Sequence, residues 1–192
     1  MRLKAIVAGM ILGGCSMTAF AQMEMGPPKG APVGSTVTIA KAFDEPLALF
    51  EYQVMGVAKT MPADKYGFTP ASANGAKFDG VRSFAAEATH LADANYYFYS
   101  VVSGMKPDVD MKALNALTKK EDIVAALEKS FVFAHKAVAT MKLETAFVAI
   151  KPVDGQDTPA SLAAFAVAHG YDHYGQMVEY LRMNGLVPPG SK

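Results

Sequence analysis

Residues 168–180 read AHGYDHYGQMVEY and hold two of the chain's four histidines, His169 and His173, four residues apart. On a helix, an i, i+4 pair shares one face, and two ring nitrogens one turn apart can meet a single cation. By an ideal helical wheel, Leu162, Phe165, Ala166, Gln176, Met177 and Tyr180 form the apolar stripe of this segment. Both histidines fall within about 20° of the centre of that stripe. They therefore point into a core, where imidazole nitrogens need partners. The partners can be a metal ion or other side chains such as Tyr, Asn or Asp.

Two ligands make a weak site, and a third histidine is the obvious complement. His90 lies on the flank of another helical stripe, beside Ala94 and Val101. His135 lies on the apolar face of a third segment, near Phe131 and Val138. Helical geometry alone leaves that choice open.

Other polar residues near these segments have two readings each. Asp172 falls about 80° from the stripe centre, at the edge of the core face, where it either orients a histidine or is a solvated carboxylate. Glu87, one turn before His90, either lines the same cavity or makes an interhelical hydrogen bond or surface charge. Asn95, Tyr97 and Gln176 are candidate donors to the site and equally good polar core residues. The aromatic run at 95–100, NYYFYS, reads as packing.

Four helices must carry these groups. The first is expected from about Asp44 to Met61, capped by Asp44, with Pro46 in its first turn and Pro62 beyond its end. Its stripe is Leu47, Phe50, Val54 and Val57. The second spans about Gly80 to Gly104, with Phe84, Ala88, Leu91, Asn95, Phe98 and Val102 inward. The third opens with a capping-box pattern, Thr118 and Glu121, and buries Val124, Leu127, Phe131, Val138 and Met141. The fourth starts at Thr158 and Pro159 and ends near Gly185, before Pro188 and Pro189. Connections at 62–79 and 142–157 are long, and AFVAI at 146–150 has the composition of a short extended piece. The expected fold is all-α, a four-helix bundle with long connections; an irregular all-α domain is the alternative.

Composition narrows the partners. The chain has 192 residues, 51% of them apolar, with 18 basic and 18 acidic side chains. That balance argues against a nucleic-acid partner, which needs a basic face. At the N-terminus, Arg2 and Lys4 precede a short apolar run, Ala5 to Leu12, and Ala19-Phe20-Ala21 fits a signal-peptidase site before Gln22. The expected organisation is a signal peptide at 1–21, a Pro/Gly-rich leader at 22–42 and a helical bundle at 43–189. Cleavage would remove the single cysteine, Cys15, and with it any thiol chemistry. It would also remove Arg2 and Lys4, leaving 16 basic against 18 acidic side chains and a net charge of −2. The rival is Leu12-Gly-Gly-Cys15, which resembles a lipobox and would leave a lipoprotein anchored at Cys15. The expected location is therefore periplasmic or secreted, with no membrane span in the mature chain. Met23 and Met25 in the leader are incidental rather than a copper site.

Three segments, MPADKYGFTP, VRSFAAEATHLADANYYF and AHGYDHYGQMVEYLRMNGLVPP, together resemble the DinB/YfiT-like superfamily of four-helix proteins, often described as metal-dependent enzymes. The likeness runs from about residue 43 to 189. It implies a divalent metal held by three histidines, which by position are His90, His169 and His173. It has no ligand at His135. Zinc, nickel and manganese all suit three imidazoles, which leave positions open for water or substrate. Some members are thiol-dependent transferases or isomerases, a chemistry less readily assumed for an exported chain. The reading is thus a metal-dependent hydrolase or transferase on a small molecule, compatible with a homodimer; the alternative is a bundle that binds a metal or ligand without turnover.

Export has a direct test. Intact-mass measurement on protein from the native host's envelope is expected to give a chain starting at Gln22 without lipid; a lipid-modified Cys15 would reverse that reading.

Overall fold

The computed structural model describes residues 31–191. The expected signal peptide, the lipobox-like Cys15 and the leader methionines Met23 and Met25 lie outside the described residues. Four long helices dominate: α1 (Ile39–Thr60), α2 (Phe84–Ser103), α4 (Lys120–Ala139) and α6 (Pro159–Met183). Two short helices, α3 (Met111–Asn115) and α5 (Leu143–Ala146), sit in connections. Among the described residues no helix is long and apolar enough to cross a membrane.

The long helices form a ring in which α1 and α2 each pack on both α4 and α6. Side-chain pairs fix their directions. Phe98 meets Phe165, while the Tyr180 hydroxyl donates to the Arg82 carbonyl at 3.1 Å, so α2 and α6 are antiparallel. Lys120 Nζ donates to the carbonyls of Lys59 and Met61, and Phe50 meets Phe131, so α1 and α4 are antiparallel. Phe50 also meets Tyr171, and Gly56 lies beside Pro189, so α1 and α6 run parallel. The bundle is therefore up-down-down-up. Each helix pair that follows in sequence across a long connection, α1 to α2 and α4 to α6, sits on a diagonal, which a tight turn could not span.

Local signals account for most helix ends. Ser83 Oγ accepts from the Ala86 amide at the start of α2, and Gly104 closes it at φ +73°, a left-handed conformation that glycine adopts without cost. Thr158 and Ser161 form a reciprocal capping box at α6, with Pro159 at its first position. Two expected caps are different. Thr38, not Asp44, caps α1, accepting from the Lys41 amide at 3.2 Å, so Pro46 lies inside the helix rather than in its first turn. Pro46 has no N–H for the Ala42 carbonyl, but Ala42 is exposed and water can serve it. At α4 the Thr118–Glu121 box does not form. The helix starts one residue later, after Lys119, which puts Glu121 at the second helical position, out of phase for a box. Lys120 is instead committed to the end of α1. The AFVAI segment is not extended throughout: Ala146 closes α5, and the backbone then turns so that the Ile150 amide donates to Asp157.

The apolar stripes of α1 and α2 are buried as expected, from Leu47 to Val57 and from Phe84 to Val102. On α4, Leu127, Phe131 and Val138 are buried but Val124 is only half-buried, and Ile123 takes the inward place. The first long connection is stitched to the bundle: the buried Tyr66 hydroxyl donates to Ala58, and the carbonyls of Tyr66 and Phe68 accept from Ala85 and Phe84. That fixes the start of α2, and with it the height of His90.

A close approach occurs at Gly170, where α6 meets the Phe50 ring. An added Cβ would lie under 3.0 Å from three atoms of that ring. Phe50 is itself held between Phe131 and Tyr171, so it has little room to yield. Gly170→Ala is expected to destabilise the fold by ~1–3 kcal/mol despite alanine's better helix propensity. Urea unfolding of the variant checks this; an unchanged or raised midpoint would show that the ring moves freely.

Candidate metal centre

The antiparallel register of α2 and α6 sets His90 opposite the i, i+4 pair of α6. Ring centroids are 4.5 Å apart for His90 and His173, 4.6 Å for His169 and His173, and 5.4 Å for His90 and His169. One ligating nitrogen from each ring lies within 4.8 Å of the other two. The shortest pair, His90 Nε2 to His169 Nε2, is 3.2 Å. Two nitrogens bound at about 2.1 Å to one ion, at octahedral to tetrahedral angles, stand about 3.0–3.4 Å apart. The observed separation fits that range and equally fits one ring donating to the other.

His173 is buried, and its Nδ1 lies 2.7 Å from Glu87 Oε2, a carboxylate only 1% exposed. When the ring is neutral, Nδ1–H donates to Glu87, and the lone pair sits on Nε2. This is the carboxylate–histidine arrangement that fixes a ligand's tautomer and raises its basicity. Both readings of Glu87 meet here: it makes an interhelical hydrogen bond, and the bond is to a histidine of the cluster. The signal in the sequence was its place one turn before His90.

His90 and His169 are half-buried, so the cluster is reachable from solvent. Burial, then the Arg82 charge and the neighbouring His173 and His169, lowers the His90 pKa to about 4, against a smaller upward pull from Glu87. Burial, then His173, also lowers His169, while Asp172 and Asp154 pull it up. Lowered pKa values keep both rings neutral at pH 7, the form that ligates. Phe98 and Phe165 rest against His169 and supply an apolar wall.

His135 is elsewhere. It bridges α4 to α1, its Nδ1 on Asp44 Oδ1 and its Nε2 on Glu51 Oε2. With both nitrogens held by carboxylates it has no lone pair to give, and these contacts raise its pKa, Glu51 most, against the opposing effect of burial. None of the remaining candidates bonds to a ring of the cluster among the described residues. Asp172 is exposed and accepts from Gln176 Nε2 at 3.3 Å. Asn95 is buried and donates to Ser130, joining α2 to α4. Tyr97 is half-exposed on the bundle surface, while Tyr96, Phe98 and Tyr99 are the packed members of the aromatic run.

The two histidine environments respond to pH in opposite ways. His90 and His169 titrate lower folded than unfolded, so their contribution is complete above about pH 6.5 and is lost as pH falls toward about 4. His135 titrates higher folded, so its contribution is complete below the unfolded value and lost as pH rises through the folded one. In metal-free protein, His90→Gln is expected to flatten the acid loss of stability, whereas His135→Gln is expected to cost most at acid pH and least at alkaline pH. Urea midpoints from pH 4 to 9 check both; parallel curves for wild type and variants would refute the assignment.

The architecture and the sequence have relatives. The DinB superfamily profile matches residues 51–177. The structure resembles the crystal structure of a DinB-like protein from Bacillus cereus, with a TM-score of 0.64 and 16% identity over 78% of this chain and 95% of that one. No curated protein matches the chain. The profile covers most of the chain, including all three clustered histidines, and the chain belongs to the DinB superfamily.

Proposed function

We propose that this chain is an exported DinB-family protein that holds a divalent cation through His90, His169 and His173 and serves as a metal-dependent hydrolase or transferase on a small molecule. The observation that carries this reading is the convergence of three imidazole nitrogens within 4.8 Å, drawn from two helices. Zinc, nickel and manganese suit an all-imidazole set. When bound, such an ion supplies Lewis acidity to a substrate or activates a nucleophile.

The rest of the work falls to the protein. Glu87 holds His173 in one tautomer. The apolar rings of Phe98 and Phe165 confine His169. Partial exposure of His90 and His169 supports a site that a ligand can reach, which favours chemistry over a closed structural role. Arg82 acts on His90 and His169 through its charge and lends the mouth of the site a positive field. Export rests on Arg2, Lys4 and Ala19-Phe20-Ala21, and it argues against a cytoplasmic thiol as co-substrate.

Alanine at His90, His169 or His173 is expected to abolish stoichiometric binding of zinc, nickel or manganese while helical content is retained. Glu87→Ala is expected to weaken binding by about 10–100-fold, and His135→Ala to leave it intact. Elemental analysis and competition titration measure this, and thermal unfolding with added metal should show a rise in wild type and His135→Ala but none in the alanine variants of His90, His169 and His173. If wild type holds no ion more tightly than the triple alanine variant, the reading falls. If it holds one but a broad hydrolase and transferase screen gives no metal-dependent turnover, the chain is a binding protein.

A further inference from the structure

We propose that a cleft between α2, the loop after it and α4 is a second ligand site, for a small carboxylate with a compact apolar body. None of its lining residues lies on α6, and none is a histidine, so it is separate from the cluster. Its volume is about 390 Å³, within the range of small-molecule sites. Tyr96 and Phe133 form an aromatic floor, with ring centroids 5.0 Å apart, and Met105, Val109 and Val132 form apolar walls.

Two observations give the ligand its chemistry. The first is charge. Lys106, Lys129 and Lys136 line the cleft against one carboxylate, Asp108. None of the three ammonium groups is ion-paired among the described residues, in a chain whose charges otherwise balance. The second is Tyr96. It is only 2% exposed, yet its hydroxyl has no hydrogen-bond partner among the described residues, whereas those of Tyr66 and Tyr180 each donate to a backbone carbonyl. The hydroxyl itself is not sealed off from solvent, so it is free to donate to a ligand in the cleft. Burial, and then Asp108 across the cleft, raises its pKa, so it stays protonated and able to donate.

A ligand that answers all of this has one negative charge for the lysines, an acceptor for the Tyr96 hydroxyl and an apolar surface for the floor. Sulfate or phosphate would leave the apolar walls unused. A neutral aromatic would leave the lysines and the hydroxyl unanswered. A monocarboxylate such as benzoate meets each requirement at once.

Calorimetric or ligand-observed NMR titration with benzoate, benzyl alcohol and sulfate tests this on the full protein. Benzoate is expected to bind saturably, with benzyl alcohol and sulfate each about tenfold weaker or more. Tyr96→Phe is expected to weaken benzoate about fivefold, the scale of one lost hydrogen bond. The Lys129→Gln/Lys136→Gln pair should weaken it further, and Val132→Trp should block the cleft from a half-exposed position that leaves the core untouched. The His90/His169/His173 triple alanine variant should bind benzoate as wild type does. No benzoate binding up to about 10 mM, equal binding of sulfate, or loss of binding in the triple alanine variant would each overturn the proposal.

Discussion

The constraint on which the structure depends is the antiparallel register of α2 and α6. Three pairings along the two helices hold one alignment: Arg82 with Tyr180, His90 with His173, and Phe98 with Phe165. The outer two are a hydrogen bond and an aromatic contact, which need no metal. The histidines between them are brought together by packing at either end. One residue of slip would turn the i, i+4 face of α6 by a large fraction of a turn and carry His169 and His173 away from His90. The register is defended by devices far from the cluster. The tethers from Tyr66 and Phe68 fix where α2 starts, the Thr158–Ser161 capping box fixes where α6 starts, and Gly170 lets α6 close on Phe50.

Electrostatics then divides four histidines into two kinds. His135 lies between two carboxylates, which favour its charged form and turn it into a tie between α1 and α4. His90 and His169 lie against each other and His173, where burial and mutual repulsion favour the neutral form. Glu87 is the exception that organises the cluster: a buried carboxylate costs several kcal/mol unless partnered, and its partner is His173. The same residue type is a clamp in one place and a set of electron-pair donors in the other, and the neighbouring acids make the difference.

Helix α2 faces both proposed sites. His90 and Phe98 look toward α6, and Tyr96 toward α4. Asn95, bonded to Ser130, locks the α4 side at a fixed rotation of α2. The polar core residue that competed with a site role is thus what holds α2 at the angle from which both faces are presented.

Much of this was written in local sequence. Stripes at three- to four-residue spacing marked the four long helices. Thr158-Pro159 and Gly104 marked ends because the chemistry of those caps is contained within a few residues. The inward direction of His169 and His173 followed from periodicity alone, since both sit on one helix. The resemblance, and not the spacing, singled out His90 over His135. Spacing could not do so because that choice depends on which helices are neighbours, a fact carried by contacts between residues far apart in the chain. The diagonal placement of α1 and α2 puts Asp44 and Glu51 beside His135 and leaves His90 to face α6. The partner of Glu87, 86 positions away, was hidden for the same reason. At the start of α4, Lys120 is bonded to the end of α1 where the Thr118 capping pattern was expected, and at the start of α1 Thr38 caps the helix while Asp44, inside it, bonds His135. Local chemistry determined the helices and the face of each pair; tertiary packing decided which faces meet, because the energy of that meeting belongs to residues that no short window of sequence contains.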